Sequence, residues 1–254
     1  LVLLDLDDTR AVTGATARAL CDRHRGVGAD GLLRVTQGSA VGDGRTDVTM
    51  QLFNADGSRA EMSGNGISCL AQAVVLAGII TGPTITIATD AGRRTVRLET
   101  SDEPLVHRAT VDMGVAKVGD DETEWAGDGV LRAARVDVGN PHLVLHVAEF
   151  ESDDDLIAHG RRVNELVPGG INVELVIPGP RPGEVTMRVF ERGVGLTEAC
   201  GTGACAVAAA AEHWELTGST VRVHQPGGSA DVVLGSTTEM TVPVVHVADI
   251  DVPA

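Results

Sequence analysis

Glu198-Ala199-Cys200-Gly201-Thr202-Gly203-Ala204-Cys205-Ala206 is the stretch that decides the fold. A cysteine is followed at once by Gly-x-Gly, and the chain from Ala204 to Ala211 is wholly small and apolar. That pattern predicts a buried helix whose first turn starts at Cys200. A helix start carries unpaired N–H groups and the positive end of the helix dipole. Both favour thiolate, the reactive form of cysteine. A lone cysteine in such a place is more often a small apolar packing residue, and a second stretch shifts that balance.

Ser63-Gly64-Asn65-Gly66 precedes Ile67-Ser68-Cys69-Leu70-Ala71-Gln72-Ala73-Val74-Val75, another small-residue helix. Ser63 and Cys200 are 137 positions apart (200 − 63). The same offset superimposes Val48-Thr49-Met50-Gln51-Leu52-Phe53 on Val185-Thr186-Met187-Arg188-Val189-Phe190, and Glu61, Gly64 and Gly66 on Glu198, Gly201 and Gly203. One offset shared by a strand-like block and a helix start marks an internal duplication. Each half therefore offers a helix N-terminus with a nucleophilic residue type at its cap, Ser63 in one and Cys200 in the other.

At 254 residues the chain is long enough for two domains of roughly 120 residues each. A net charge of −16, from 36 acidic and 20 basic residues, argues against nucleic acid and anionic membranes as partners. No apolar run reaches the roughly 18 residues that a membrane span needs. Four cysteines, Cys21, Cys69, Cys200 and Cys205, suit a reducing, cytoplasmic compartment. Cys200 and Cys205 have a poor zinc spacing and no nearby His pair, so no metal is expected. Cys21, Cys69 and Cys205 are expected to be core. Tyrosine is absent, which excludes tyrosine acid/base chemistry.

Along the chain, Leu1 to Asp5 reads as a strand and Ala15 to Arg25 as a helix. Gly26-Val27-Gly28-Ala29-Asp30-Gly31 matches G-x-G-x-x-G, but a helix precedes it and the apolar run Leu32-Leu33-Arg34-Val35 follows. A dinucleotide fingerprint has the opposite order, so this is a helix-to-strand turn. Strands are expected over Asp47–Phe53, Thr84–Ala88, Arg94–Glu99 and Ala109–Met113. The acidic, glycine-rich stretch Gly119–Gly129 reads as a surface loop near the domain boundary. Strands at Leu131–Asp137 and Leu143–Val147, a helix at Asp153–Leu166 and strands at Gly170–Val176 and Val185–Glu191 follow. Val221–His224, Ala230–Leu234 and Met240–Val247 close the sheet. Gly139-Asn140-Pro141-His142-Leu143 looks like the counterpart of the chain start, which implies that residues matching Asn140 to His142 precede Leu1. The fold class is α+β: two pseudo-symmetric domains, each a mostly antiparallel sheet wrapped round a central helix. The expected domains are 1–117, joined by the last strand at 243–254, and 118–242.

Asn54-Ala55-Asp56-Gly57, Glu61-Met62-Ser63-Gly64-Asn65-Gly66, Gly139-Asn140-Pro141-His142, Asn172, Glu191-Arg192-Gly193-Val194-Gly195 and Ala199-Cys200-Gly201-Thr202-Gly203 together resemble diaminopimelate epimerase. The resemblance runs nearly end to end. It implies an enzyme with two pseudo-symmetric α/β domains and an active site in the cleft between them. Such an enzyme interconverts LL- and meso-diaminopimelate, in lysine and cell-wall precursor biosynthesis, without pyridoxal phosphate or metal. One residue removes the α-proton and another, on the opposite face, returns one. By resemblance Cys200 and Ser63 are the acid/base pair, tuned by His142 and Glu191. Gly64, Asn65, Gly201 and Thr202 would donate to the α-carboxylate. Asn54, Asn140, Asn172, Glu191 and Arg192 would hold the distal amino-acid end, with Arg192 pairing its carboxylate. The resemblance also allows a homodimer.

Two departures stand out. The family has cysteine where this chain has Ser63, and an N-terminal segment carrying a further substrate-binding Asn is missing. A serine alkoxide is far more basic than a thiolate and poorly matched to neutral pH, so activity is expected to be reduced. Cys69 lies six positions along the helix, roughly 9 Å away, and cannot replace the thiol. Two other readings compete: a proline-racemase-like hydroxyproline epimerase or dehydratase, and an inactive amino-acid-binding homologue. Asn54, Asn172, Glu191 and Arg192 suit a long substrate with a second charged end, which favours the diaminopimelate reading.

Overall fold

The computed structural model describes residues 1–38, 40–41, 44–103, 105–125, 129–150 and 152–252. The chain divides into two compact units. One comprises Leu1–Val111 and the segment from Val242 onward, and the other Asp112–Thr241.

The first unit opens with β1 (Val2–Leu4), α1 (Gly14–Cys21), β2 (Gly31–Gln37), the short β3 (Ala40–Val41) and β4 (Gly44–Arg45), β5 (Val48–Asn54) and β6 (Arg59–Ala60). Then come α2 (Gly64–Leu76), β7 (Thr84–Thr89), β8 (Gly92–Thr100) and β9 (Val106–Gly114), whose last residues enter the second unit. The second unit continues with β10 (Lys117–Asp121), a single 3-10 turn at Thr123–Trp125, β11 (Val130–Asp137), β12 (Pro141–Val147), α3 (Asp153–Leu166), β13 (Asn172–Pro178), β14 (Glu184–Glu191) and β15 (Gly195–Thr197). It closes with α4 (Gly201–His213), β16 (Thr220–Gln225), β17 (Gly228–Val233) and β18 (Thr238–Val245), whose residues from Val242 belong to the first unit.

Strand order repeats between the units. In the first it runs β1-β2-β5-β7-β8-β9, and in the second β12-β13-β14-β16-β17-β18, with β11 and β10 added beyond β12. Both runs begin with a parallel pair, β1 on β2 and β12 on β13. Both have a second parallel pair, β5 on β7 and β14 on β16. The remaining pairs of these two runs are antiparallel. The fold is therefore α+β with a mostly antiparallel sheet. The stretch expected as a loop from Gly119 is partly strand: Lys117–Asp121 pairs with β11, because Val118 can face Val136 while the acidic side chains stay outward. Residues 126–128 of that expected loop lie outside the described residues.

Period-2 alternation sends neighbouring residues of each strand to opposite faces. On one face of the second unit, Leu143, Leu145, Val173, Leu175 and Phe190 pack with Leu156 and Val163 of α3. Gly160 of α3 makes this approach possible, since a Cβ there would stand 2.3 Å from the Phe190 ring. On the first unit's equivalent face, Leu32 and Phe53 pack with Ala17 and Cys21 of α1. The opposite faces receive α2 and α4. Every residue of α4 from Gly201 to Ala211 is buried, and the helix packs on β10 to β14, β16 and β17. Its glycines and alanines give the smallest helix radius, so strands can close round it on several sides. In α2, Ile67, Leu70, Ala71 and Val74 are buried, and burying a Leu, Ile or Val side chain contributes roughly 1.5–3 kcal/mol. Gln72, also buried, donates from Nε2 to the carbonyls of Leu105 and Val244 at 3.0 and 3.1 Å. It thereby ties α2 to the two segments where the chain leaves its unit and re-enters it.

Helix α1 ends at Cys21, short of the expected Arg25, because Asp22 turns the chain and accepts the N–H groups of His24 and Arg25. The G-x-G-x-x-G segment is the expected turn, with Gly28 at φ 87°, where an L side chain is strained. Cys21 and Cys205 are buried, but Cys69 is exposed: residue 69 falls on the outer face of α2, between the buried Ser68 and Leu70. No helix among the described residues is long and apolar enough to cross a membrane.

Candidate active site

The two central helices begin with the same local geometry. Ser63 is the N-cap of α2 at φ −141°, ψ 122°, and Cys200 the N-cap of α4 at φ −131°, ψ 116°. Ser63 Oγ accepts the N–H of Gly66 at 3.1 Å, and Cys200 Sγ accepts the N–H of Gly203 at 3.4 Å. The carbonyl of each cap accepts from the fourth residue on, Ile67 or Ala204, at 2.9 Å. Each helix thus starts with the reactive atom bonded to its own third N–H. The preceding N–H groups, of Gly64 and Asn65 and of Gly201 and Thr202, fall in the first turn, where a helix has no acceptor of its own for them.

The Cys200 half-site is densely built. The Cys200 N–H donates to Gln225 Oε1 at 2.7 Å, which fixes the cap against β16. Thr202 Oγ1 lies 3.5 Å from Cys200 Sγ. Asn140 Nδ2 donates to Thr202 Oγ1 at 3.4 Å, and Asn140 Oδ1 is 3.0 Å from His142 Nε2. The other ring nitrogen of His142, Nδ1, is 2.7 Å from Glu174 Oε1, and both side chains are fully buried. Asn172, next to His142 in register, donates to the Pro141 carbonyl at 3.2 Å and accepts the Arg192 N–H at 2.9 Å. Glu191, at the end of β14, accepts from Thr197 Oγ1 at 2.5 Å and lies close enough to Cys200 for each to shift the other's pKa.

The electrostatics of Cys200 run opposite to the expectation from its helix position. Burial is the largest effect and pushes the thiol pKa well up, and the charges of Glu191 and Glu174 add to it. The contacts to Thr202 and to the Gly203 N–H pull it down by less. Cys200 is only 6% exposed, and the lost solvation outweighs the contacts to Thr202 and the Gly203 N–H. These effects favour the thiol over the thiolate. Burial also raises the Glu191 pKa, with Glu174 adding to the shift and Thr197, His142 and Cys200 opposing it. A carboxyl group of raised pKa thus sits beside the buried thiol.

In the first unit, the Ser63 half-site holds fewer polar partners. Gly64 is buried and Asn65 exposed. Asn54, at the end of β5, donates from Nδ2 to Ser58 Oγ at 3.0 Å within its own turn. In the second unit, Arg192 is exposed, and its Nη1 donates to the Gly169 carbonyl at 3.3 Å. The structure thus gathers Cys200, Thr202, Asn140, His142 and Glu191 into one connected group, with Asn172 and Arg192 at its edge. Gln225, Thr197 and Glu174 belong to that group without having been expected. Glu174 carried a signal: it is the only charged residue in the run Ile171–Ile177, on a strand otherwise apolar except for Asn172. Among the described residues no cluster of His, Cys, Asp and Glu is arranged to hold a metal ion.

Comparison with known proteins is consistent with this geometry. The family model described as Diaminopimelate epimerase matches residues 1–119 and 134–247. The chain is 40% identical to the diaminopimelate epimerase of Thermobifida fusca over 263 aligned positions, covering 99% of this chain and 93% of the relative. It is 37% identical to that of Streptomyces coelicolor, covering 98% and 90%. Among solved structures, a hydroxyproline epimerase from Agrobacterium vitis aligns with a TM-score of 0.67 at 17% identity, covering 90% of this chain and 78% of that one. A phenazine biosynthesis protein of the PhzF family from Bacillus anthracis aligns with a TM-score of 0.67 at 15% identity, covering 95% and 88%. These two likenesses show a shared fold. The family match and the near full-length relatives go further: the chain belongs to the diaminopimelate epimerase family.

Proposed function

We propose that the protein is a cofactor-independent amino-acid epimerase that interconverts LL- and meso-diaminopimelate by two-base proton transfer at the α-carbon. The observation that carries this reading is the matched pair of helix caps. Ser63 and Cys200, 137 residues apart (200 − 63), hold their reactive atoms in the same bond to the third N–H of a central helix. A reaction that removes a proton from one face of a carbon and returns one to the other needs two such groups, one for each face.

In this reading the α-carboxylate binds the first-turn N–H groups of α2 and α4, which stabilise the negative charge that builds on it during deprotonation. Cys200 acts as base after passing its proton to Glu191, whose raised pKa suits it to receive one. Ser63 returns a proton to the opposite face. When the direction reverses, Ser63 must give up its proton first, and that step is slow near neutral pH. The distal end of the substrate is held by Asn140, Asn172 and Arg192. The reading places the protein in lysine and cell-wall precursor biosynthesis and in the cytoplasm, which four free thiols support. It also allows a homodimer.

The test is incubation with LL-diaminopimelate in D2O, following formation of the meso isomer and deuterium at the α-carbon. Inversion with incorporation is the expected result. A protein that binds diaminopimelate and exchanges no α-hydrogen would be a binding homologue, and one that acts on hydroxyproline alone would belong to the competing class.

A further inference from the structure

We propose that Glu174 is a positioning residue of the Cys200 half-site, holding the His142 ring so that the chain from His142 through Asn140 and Thr202 reaches Cys200. This inference deepens the epimerase reading and rests on it for the role of Cys200. Its starting point is the internal symmetry. Leu33 pairs with Leu52 and Glu174 with Val189, and Leu52 and Val189 stand at the spacing of the duplication (189 − 52 = 137). Leu33 and Glu174 are therefore the same position in the two repeats. Each lies beneath the third residue of its central helix. A Cβ on Gly66 would stand 3.1 Å from Leu33 Cδ2, and one on Gly203 would stand 2.9 Å from Glu174 Oε1.

At one position, then, the Ser63 half has an apolar side chain and the Cys200 half a carboxylate. The fold accepts leucine there, so packing does not require the acid. The acid is fully buried, and its Oε2 has no hydrogen-bond partner among the described residues. Burying a carboxylate is costly unless a partner compensates. The one partner of its side chain is His142 Nδ1, at 2.7 Å. Glu174 Oε1 accepts from Nδ1–H, and Asn140 Oδ1, which can only accept, takes Nε2–H, so both ring nitrogens donate and the ring is fixed at both ends. Asn140 is then oriented to donate to Thr202 Oγ1, which sits 3.5 Å from the reactive sulfur. Without Glu174 the ring can turn about its side-chain torsions, and the chain loses its fixed end.

The experiment compares Glu174→Leu, which reproduces the other repeat, with Glu174→Gln, whose amide oxygen still accepts from Nδ1. Two quantities are read: epimerase turnover, and the proton NMR resonance of His142 Nδ1–H, assigned by its loss in His142→Gln. Burial should slow that proton's exchange enough to show a downfield signal. The signal is expected in the unaltered protein and in Glu174→Gln, and lost in Glu174→Leu. Turnover should fall at least about tenfold in Glu174→Leu, as expected when a reacting group is misplaced, and recover to within about threefold in Glu174→Gln. Absence of the signal in the unaltered protein would overturn the assignment, and that measurement needs no variant to fold. Unchanged turnover in folded Glu174→Leu would overturn it equally. Failure of the epimerase reading itself looks different: the unaltered protein would show the His142 signal and no inversion of diaminopimelate.

Discussion

Gly203 donates its N–H to Cys200 Sγ at 3.4 Å, and the same residue has no room for a side chain. A Cβ there would meet Glu174 Oε1 at 2.9 Å and the Cys200 sulfur at 3.3 Å. The second glycine of the Gly-x-Gly after the cysteine is thus a steric requirement of the site. Positive φ does not explain it, since Gly203 lies within helix α4.

Gly203→Ala is therefore expected to push the Glu174 carboxyl and the Cys200 thiol off their positions. Overpacking of this kind typically costs about 1–3 kcal/mol of stability. Turnover should drop by at least about tenfold, with a smaller loss in Gly66→Ala, where the contacts are looser: a leucine methyl and Ser63 Cβ, both at 3.1 Å, and Ser63 Oγ at 3.2 Å. Denaturant unfolding and steady-state kinetics of the two variants check this. Equal effects at the two glycines would contradict it.

Arg192 is exposed and spends only one weak bond, to the Gly169 carbonyl at 3.3 Å. Its backbone is held by Asn172, and in the proposed function its guanidinium pairs with the distal carboxylate. Arg192→Ala should weaken diaminopimelate binding by about 1.5–3 kcal/mol, the usual worth of a hydrogen bond to a charged group. Isothermal titration with the substrate reads the loss. An unchanged affinity would remove Arg192 from the distal site.

Asp5 gives a pH dependence of stability with a definite sign. Burial raises its pKa, but hydrogen bonds from Arg34 and the N–H groups of Thr9 and Arg10 outweigh that, and the net value lies below the ordinary 3.8. A depressed carboxyl pKa contributes stability that is present above the unfolded value and is lost as pH falls through the folded one. Stability should therefore decline as pH drops below about 3.8. In Asp5→Asn that part of the decline should be missing, while stability at pH 7 should be lower, because Arg34 keeps only Asp8, Gln51 and the Arg10 carbonyl as partners. Thermal melts between pH 2 and 7 make the comparison. Parallel curves for the two proteins would show that Asp5 contributes nothing.

Much of this molecule is legible in its sequence, for identifiable reasons. The duplication is visible because both halves must present the same Gly-x-Gly helix start, and steric limits at Gly66 and Gly203 hold those residues in place. The expected helix Asp153–Leu166 appears with those bounds, since Ser152 and the acidic first turn form a strong start signal. The protonation of Cys200 was not legible. A helix start argues for thiolate, and only the three-dimensional burial beside Glu191 and Glu174 reverses it. Arg34 likewise looked like one residue of an apolar run. Its pairing with the buried Asp5 and the exposed Asp8 depends on contacts 29 and 26 residues away. Cys69 looked like core because its neighbours are apolar, whereas the helix period turns it outward.

The account depends on Cys200 and Ser63 being the two groups that exchange protons with the α-carbon. Deuterium incorporation into LL- and meso-diaminopimelate in D2O, followed for the unaltered protein, Cys200→Ala and Ser63→Cys, measures that directly. Cys200→Ala should lose both exchange and inversion. Ser63→Cys should invert at least about tenfold faster than the unaltered protein, equivalent to about 1.4 kcal/mol off the barrier. In the unaltered protein, exchange without inversion should appear in one stereoisomer. Persistent exchange in Cys200→Ala, or a Ser63→Cys protein no faster than the unaltered one, would contradict the account.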